Sequence, residues 1–117
     1  MDKSIIYYHN PRCSKSREGL KLLENSKKNV KIKLYLSEHI TFSELAETIK
    51  KLKIKPIELV RKKEKVIKEN NINFAGMTDE QIIKTLLKFP ILIERPILVS
   101  DKKAVLGRPP DNLKVML

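Results

Sequence analysis

Residues 7–17, YYHNPRCSKSR, connect an apolar segment to a helical one and contain the only cysteine of the chain, Cys13. A lone cysteine usually behaves as a small buried hydrophobic residue. Here it follows a histidine, an asparagine and a proline, and Arg12 and Arg17 lie on either side of it. These polar and cationic neighbours favour a reactive cysteine over a merely structural one.

The residues around this stretch predict a strand, a loop and a helix in succession. SIIYYH (4–9) is β-branched and aromatic, which is typical of a buried strand. NPRC (10–13) forms a loop whose backbone Pro11 restricts, and residues 14–25 have the apolar spacing of a helix. The helix therefore begins directly after Cys13. Its free N–H groups and positive dipole end favour a thiolate and would also bind an oxyanion.

The rest of the chain continues this pattern. VKIKLYL (30–36) alternates like a second strand. Capping signals at Thr41 with Glu44 and at Thr78 with Gln81 predict helices that begin there. Between them, KPIELVRKKEKVIKEN (55–70) predicts a helix opened by proline. The remaining predicted elements are strands in ILIERPILVS (91–100) and AVLG (104–107) and a short final helix within RPPDNLKVML (108–117).

The predicted order is β-α-β, a group of helices, and β-β-α. A βαβ unit pairs its strands in parallel, whereas a short turn pairs the last two strands antiparallel. We therefore expect an α/β fold with a four-stranded mixed sheet. The 117 residues suit one domain, with a helical insertion at about residues 41–89. Pro96 interrupts a strand pattern, so we expect a special position and a cis peptide bond before it.

The charge of the chain is strongly positive, at +11, with 25 Lys and Arg against 14 Asp and Glu. Such a balance suits nucleic acid, a membrane surface or a small oxyanion as partner, but it also fits a lysine-rich solvated surface. Glutamates interleaved with the lysines, together with few aromatics, argue against nucleic acid. No apolar run reaches membrane length and no signal peptide is evident, so a cytoplasmic protein that does not bind membranes is expected. One cysteine and two histidines argue against a metal site.

Three arginines are candidates for binding an oxyanion: Arg61, Arg95 and Arg108. The planar guanidinium suits two-point recognition of an oxyanion better than a lysine does. Each arginine taken singly would more commonly be a surface residue or a partner in a local salt bridge. Arg95 and Arg108 are less ordinary, because each directly precedes a proline at the boundary of an element.

Four motifs resemble the glutaredoxin-coupled arsenate reductase family, in the family's order and across nearly the whole chain: YYHNPRCSKSR, LVRKK, FPILIERPILV and LGRPPD. The resemblance implies a thioredoxin-like fold with a helical insertion. It also implies a role for each matching residue: Cys13 as nucleophile, His9 as a loop histidine beside it, Ser16 as a serine that assists the thiolate, Arg61, Arg95 and Arg108 as arsenate ligands, and Pro96 as the cis-proline. CSKS (13–16) stands where relatives have a smaller turn that contains glycine.

The chemistry implied by the resemblance needs only one protein cysteine. The Cys13 thiolate attacks arsenate and water leaves. Glutathione, a co-substrate rather than a bound cofactor, then reduces the arsenic and takes over the bond to sulfur. Arsenite leaves, and glutaredoxin resolves the mixed disulfide.

One alternative is another thiol-redox member of the family without arsenate activity. Two related classes also have to be weighed, of which the first stays open and the second is excluded. Spx-type transcription regulators share the fold and bind RNA polymerase, often through a C-x-x-C redox switch. Here the second cysteine position is Ser16, which argues against the switch but leaves polymerase binding open. Phosphatase-like arsenate reductases need an arginine six residues after the cysteine, where this chain has Gly19.

Overall fold

A computed structural model describes residues 5–117. The chain divides into two compact units. One is formed by the chain up to His39 together with Arg95–Leu117, and the other by Ile40–Glu94. The insertion predicted at about 41–89 falls within the second unit, and the single-domain organisation stays a prediction. Among the described residues, no helix is long and apolar enough to cross a bilayer.

The first unit contains the sheet. Its elements are β1 (Ile5–Tyr8), α1 (Ser14–Ser26), β2 (Val30–Lys33), β3 (Ile97–Val99), β4 (Ala104–Leu106) and a 3₁₀ helix (Pro110–Met116). The strand order is β2-β1-β3-β4. β1 pairs with β2 in parallel and with β3 antiparallel, and β3 pairs antiparallel with β4. The predicted four-stranded mixed sheet is therefore confirmed, and so is the pairing of the two ends of the chain. Ser4, included in the predicted first strand, lies outside the described residues.

The core of the first unit centres on Tyr7 in β1. Tyr7 lies opposite Ile32 of β2 and Leu98 of β3, and it is completely buried with Leu98, Leu23 of α1 and Leu113. Because side chains alternate along a strand, Tyr8 points to the other face. The sheet and α1 thus enclose an aromatic ring directly beneath the loop that carries the cysteine.

The second unit is helical. It contains α2 (Phe42–Leu52), a 3₁₀ helix (Pro56–Leu59), α3 (Lys65–Glu69), α4 (Asp79–Lys88) and a 3₁₀ helix (Pro90–Leu92). The Thr41 hydroxyl accepts from the Glu44 amide at 3.1 Å and begins α2. Thr78 and Gln81 form the predicted reciprocal cap of α4. α4 packs against α2 and both 3₁₀ helices, and it buries Ile82, Ile83 and Leu86.

The single helix predicted over residues 55–70 is wrong. After the 3₁₀ helix the backbone extends at Val60 (φ −85°, ψ 128°) and forms a bridge with Ile93. Next to this bridge, the Glu94 amide donates to the Leu59 carbonyl at 2.8 Å. Since a non-local partner satisfies these backbone groups, helix propensity is overridden and only the short α3 follows.

The predicted strands were too long. β2 ends at Lys33 because Leu34 begins a turn, in which its carbonyl accepts from the Ser37 and Glu38 amides. Within 91–100, the 3₁₀ helix Pro90–Leu92 and the bridge at Ile93 leave only Ile97–Val99 to pair in the sheet. The final helix, Pro110–Met116, is a 3₁₀ helix that begins at a proline.

Candidate active site

Cys13 occupies the position just before α1, where its backbone is still extended (φ −94°, ψ 122°). Its amide donates to the Asn10 carbonyl at 3.0 Å, and its carbonyl accepts from the Arg17 amide at 3.0 Å. These two bonds join the loop to the first helical turn. The cysteine is partly exposed, so its thiol is held at the helix N-terminus while solvent can reach the residue.

Donor groups around the sulfur lower the pKa of the Cys13 thiol. Partial burial acts in the opposite direction and raises this pKa, but the main-chain amides of Ser16 and Lys15 and the guanidinium of Arg95 outweigh it. Amides at a helix N-terminus and a nearby cation are the groups that stabilise a thiolate in proteins. The sequence had suggested Arg12 and Arg17 as the cationic neighbours. The guanidinium that the structure brings to the sulfur is that of Arg95.

Arg95 and Arg108 meet at the end of the β3–β4 hairpin. Arg95 is only 7% exposed, and its carbonyl accepts a hydrogen bond from Nη1 of the exposed Arg108 at 3.1 Å. The Arg95–Pro96 peptide bond is cis, as predicted, and so is the Arg108–Pro109 bond. The Gly107 amide donates to the Pro96 carbonyl at 2.8 Å. The hairpin therefore holds Arg95 and Arg108 close together, and each of them precedes a cis-proline.

Ser16 is a buried polar residue with hydrogen-bonding partners at both of its oxygens. It is completely buried, and its hydroxyl oxygen lies 2.6 Å from Nδ1 of His9 and accepts from the Asn10 amide at 3.0 Å. Its carbonyl accepts from the Tyr7 hydroxyl at 2.7 Å. The hydroxyl thus contacts His9, whereas the Ser16 amide is one of the groups that lower the pKa of the Cys13 thiol.

His9 is buried and neutral in this setting. Burial lowers the pKa of His9, and the positive charge of Arg17 lowers it further. The Ser16 oxygen already accepts from the Asn10 amide, so its proton is available to Nδ1 of the neutral imidazole. Arg17 is exposed and donates from Nη1 to the Pro11 carbonyl at 2.8 Å, which ties the loop to α1.

Arg61 lies in the second unit. Its Nε donates to Glu64 and its Nη1 to Glu94, both at 3.1 Å, and its amide donates to the Leu92 carbonyl at 2.7 Å. The guanidinium is therefore engaged by two carboxylates. Its role as an oxyanion ligand stays a prediction.

Sequence reasoning overlooked three residues that support this site: Tyr7, Asn10 and Gly19. Tyr7 and Asn10 bind Ser16, and the Asn10 side chain also accepts from the Arg12 amide at 3.0 Å. An asparagine before a proline is a recognisable turn signal, but nothing in the sequence linked Tyr7 to Gly19. No cluster of three metal-ligating side chains exists among residues 5–117.

The fold and this site together define a class of protein. A sheet of order β2-β1-β3-β4, a cysteine at the start of the helix after β1, and a cis-proline directly before β3 are the features of the thioredoxin-like fold. Comparison with known proteins narrows the class. Residues 8–116 match the ArsC family, and the chain belongs to that family.

Relatives of similar length support this assignment. The chain is 39% identical over 115 residues to an arsenate reductase of Haemophilus influenzae, covering 97% of this chain and 99% of that protein. It is 40% identical over 114 residues to the uncharacterized protein YfgD of Escherichia coli, covering 97% and 96%. The structure of an arsenate reductase from Vibrio cholerae superposes with a TM-score of 0.90 at 36% identity and covers all of both chains.

Proposed function

We propose that this protein is an arsenate reductase that uses Cys13 as its nucleophile and takes electrons from glutathione and glutaredoxin. The observation that carries the proposal is the placement of Cys13 at the N-terminus of α1, where the Ser16 and Lys15 amides and Arg95 lower the pKa of its thiol although partial burial opposes them. An anion bound there meets the same donors. The arsenate reductase names of several relatives supply the substrate.

The first step is a substitution at arsenic. The Cys13 thiolate forms a sulfur–arsenic bond, and an arsenate oxygen leaves as water after it is protonated; arsenic is still As(V). Arg95, Arg108 and Arg61 are the proposed ligands of the arsenate oxygens. Their charge offsets the charge that builds up during attack.

The second step reduces the arsenic. A glutathione thiolate attacks the Cys13 sulfur, the sulfur–arsenic bond breaks, and its electron pair stays with arsenic, which leaves as arsenite. Cys13 and glutathione are then joined by a mixed disulfide. A glutaredoxin thiol attacks the glutathione sulfur and releases the Cys13 thiolate. External thiols thus supply both electrons, so no second cysteine is needed in the chain.

Arsenite formation tests this proposal directly. Purified protein is incubated with arsenate, glutathione and glutaredoxin, and arsenite is separated from arsenate and quantified. We expect turnover by the wild type and none by Cys13→Ser. Without glutaredoxin, mass spectrometry should find one glutathione linked to Cys13. Absence of arsenite, or equal turnover by Cys13→Ser, would overturn the proposal.

A further inference from the structure

Tyr7 reaches from the sheet into the first turns of α1. It is completely buried in the core, and its backbone is paired on both sides, with Ile32 of β2 and Leu98 of β3. Its hydroxyl donates to the Ser16 carbonyl at 2.7 Å. A residue fixed in a central strand of the sheet is thus bonded to the first helical turn after Cys13.

The contact depends on Gly19. A Cβ atom at this position would collide with the Tyr7 hydroxyl and would lie 2.8 Å from Cδ1 of Leu113. Real Cβ atoms do not approach other atoms so closely. Glycine in the middle of a helix also costs stability, roughly 0.5–1 kcal/mol relative to alanine. The space that it leaves on α1 is filled by the tyrosine hydroxyl.

The same tyrosine also supports His9. The two rings stack with centroids 5.6 Å apart and an interplanar angle of 26°. His9 in turn contacts the Ser16 hydroxyl at 2.6 Å. Ser16 is therefore held by β1 and its loop at both oxygens, through Tyr7 at the carbonyl and through His9 and Asn10 at the hydroxyl.

We propose that Tyr7, accommodated by Gly19, is a positioning residue: it fixes Ser16 and with it the first turn of α1, which begins directly after Cys13. Tyr7 does not itself take part in the reaction. Removal of its hydroxyl loosens the first turn of α1, and N-terminal amides that are held less firmly stabilise a thiolate beside them less. The inference relies on the proposed arsenate chemistry only for its effect on turnover.

The test measures the rate of Cys13 alkylation by iodoacetamide as a function of pH. For Tyr7→Phe, which removes one oxygen, we expect the midpoint to rise by up to roughly half a pH unit, the scale of one positioning hydrogen bond. Tyr8→Phe is the matched control, since it makes the same change in the same strand on the opposite face of the sheet. Its midpoint should equal that of the wild type.

Gly19→Ala provides a second route to the same contact. It keeps the tyrosine but crowds its hydroxyl, so it should raise the midpoint in the same direction. The double variant Tyr7→Phe/Gly19→Ala should have a midpoint no higher than the larger single shift, because both changes remove one hydrogen bond. Circular dichroism checks that each variant is folded.

An unchanged midpoint in folded Tyr7→Phe would overturn the inference, as would additive shifts in the double variant or an equal shift in Tyr8→Phe. If Tyr7→Phe does not fold, an unchanged midpoint in folded Gly19→Ala overturns it instead. Arsenate turnover is measured separately on the same proteins. If the wild type showed no arsenate turnover, the proposed function would be refuted, and the alkylation comparison would still test the role of Tyr7.

Discussion

Nη1 of Arg108 donates to the main-chain carbonyl of Arg95 at 3.1 Å, although the two residues are 13 positions apart in the chain. The β3–β4 hairpin brings them together. Ile97 pairs with Leu106, and the Gly107 amide donates to the Pro96 carbonyl. Two arginines that each precede a cis-proline thus meet at one end of the sheet. One of them, Arg95, is buried, and it is one of the groups that lower the pKa of the Cys13 thiol.

Arg95→Lys is expected to reduce arsenate turnover nearly as much as Arg95→Ala. Lysine keeps the positive charge but loses the planar pair of donors that can contact sulfur and oxyanion together. Removal of one charge-assisted contact in a buried site costs about 2–4 kcal/mol of transition-state stabilisation, or about a hundredfold in rate. The measurement is kcat/KM for arsenate at saturating glutathione and glutaredoxin.

A double charge reversal, Lys27→Glu/Lys28→Glu, serves as the control for Arg95, since both lysines are exposed. It should leave turnover within severalfold of the wild type. If folded Arg95→Ala retained full turnover, the oxyanion-binding role would be refuted. If the lysine reversal abolished binding to RNA polymerase while arsenate turnover was absent throughout, the regulator alternative would be favoured.

Arg61 offers a prediction about competition between carboxylates and arsenate. Its guanidinium contacts Glu64 and Glu94 at 3.1 Å each, and an arsenate ligand must share or leave these partners. Glu64→Gln weakens one of them without removing the arginine. We therefore expect a lower KM for arsenate in Glu64→Gln and a higher KM in Arg61→Ala. Equal KM values in both variants and the wild type would place Arg61 outside the arsenate site.

Gly107→Ala is expected to disturb the site indirectly, through the side chains that pack around Gly107. The added Cβ would lie 2.7 Å from Cγ of Pro96 and 3.0 Å from Cδ2 of Leu113. Overpacking of this kind costs about 1–3 kcal/mol, and here it presses on the proline next to Arg95. Urea unfolding should show the loss of stability, and alkylation of Cys13 at pH 7 should slow.

Gly76→Ala is the matched substitution for Gly107. Its Cβ would meet no atom within 4 Å, but its φ of +82° disfavours alanine. It should therefore lower stability without changing the alkylation rate. If Gly107→Ala lost stability but reacted with iodoacetamide like Gly76→Ala, the proposed pressure on Pro96 and Arg95 would be absent.

Local chemistry made much of this fold predictable. β-Branched and aromatic residues located β1, alternation located β2, paired threonine signals located the starts of α2 and α4, and a proline within a strand pattern indicated the cis bond. The errors arose where distant residues compete for the backbone. Val60 is extended and forms a bridge with Ile93. Propensity alone predicts a helix over residues 55–70 and could not reveal this pairing.

Part of the candidate site was also predictable from the sequence. The position of Cys13 at a helix N-terminus follows from its loop, and Arg95 and Arg108 were singled out by their prolines. The contact between Tyr7 and Ser16 was not predictable, because it joins a strand to a helix through a gap at Gly19 that has no sequence signature. The Glu94 carboxylate on Arg61 was likewise hidden, since it is 33 residues away along the chain.

The lowered pKa of Cys13 implies a definite dependence of stability on pH. Native Cys13 loses its proton at a lower pH than the unfolded chain, whose thiol has an ordinary pKa of about 9. Between these two values the unfolded state binds more protons, so the stability contributed by Cys13 increases with pH. It is fully present above about pH 9 and is lost as the pH falls through the native pKa.

Cys13→Ser is the reference for this measurement, because every other titrating group is common to both proteins. Free energies of unfolding are obtained by urea titration from about pH 5 to 10, with reductant present to keep the thiol reduced. We expect the difference, wild type minus Cys13→Ser, to rise with pH between the native pKa and about pH 9 and then to level off. Its lower inflection should coincide with the alkylation midpoint of the native protein. A difference that stays flat or falls with rising pH would mean that the native structure does not favour the thiolate.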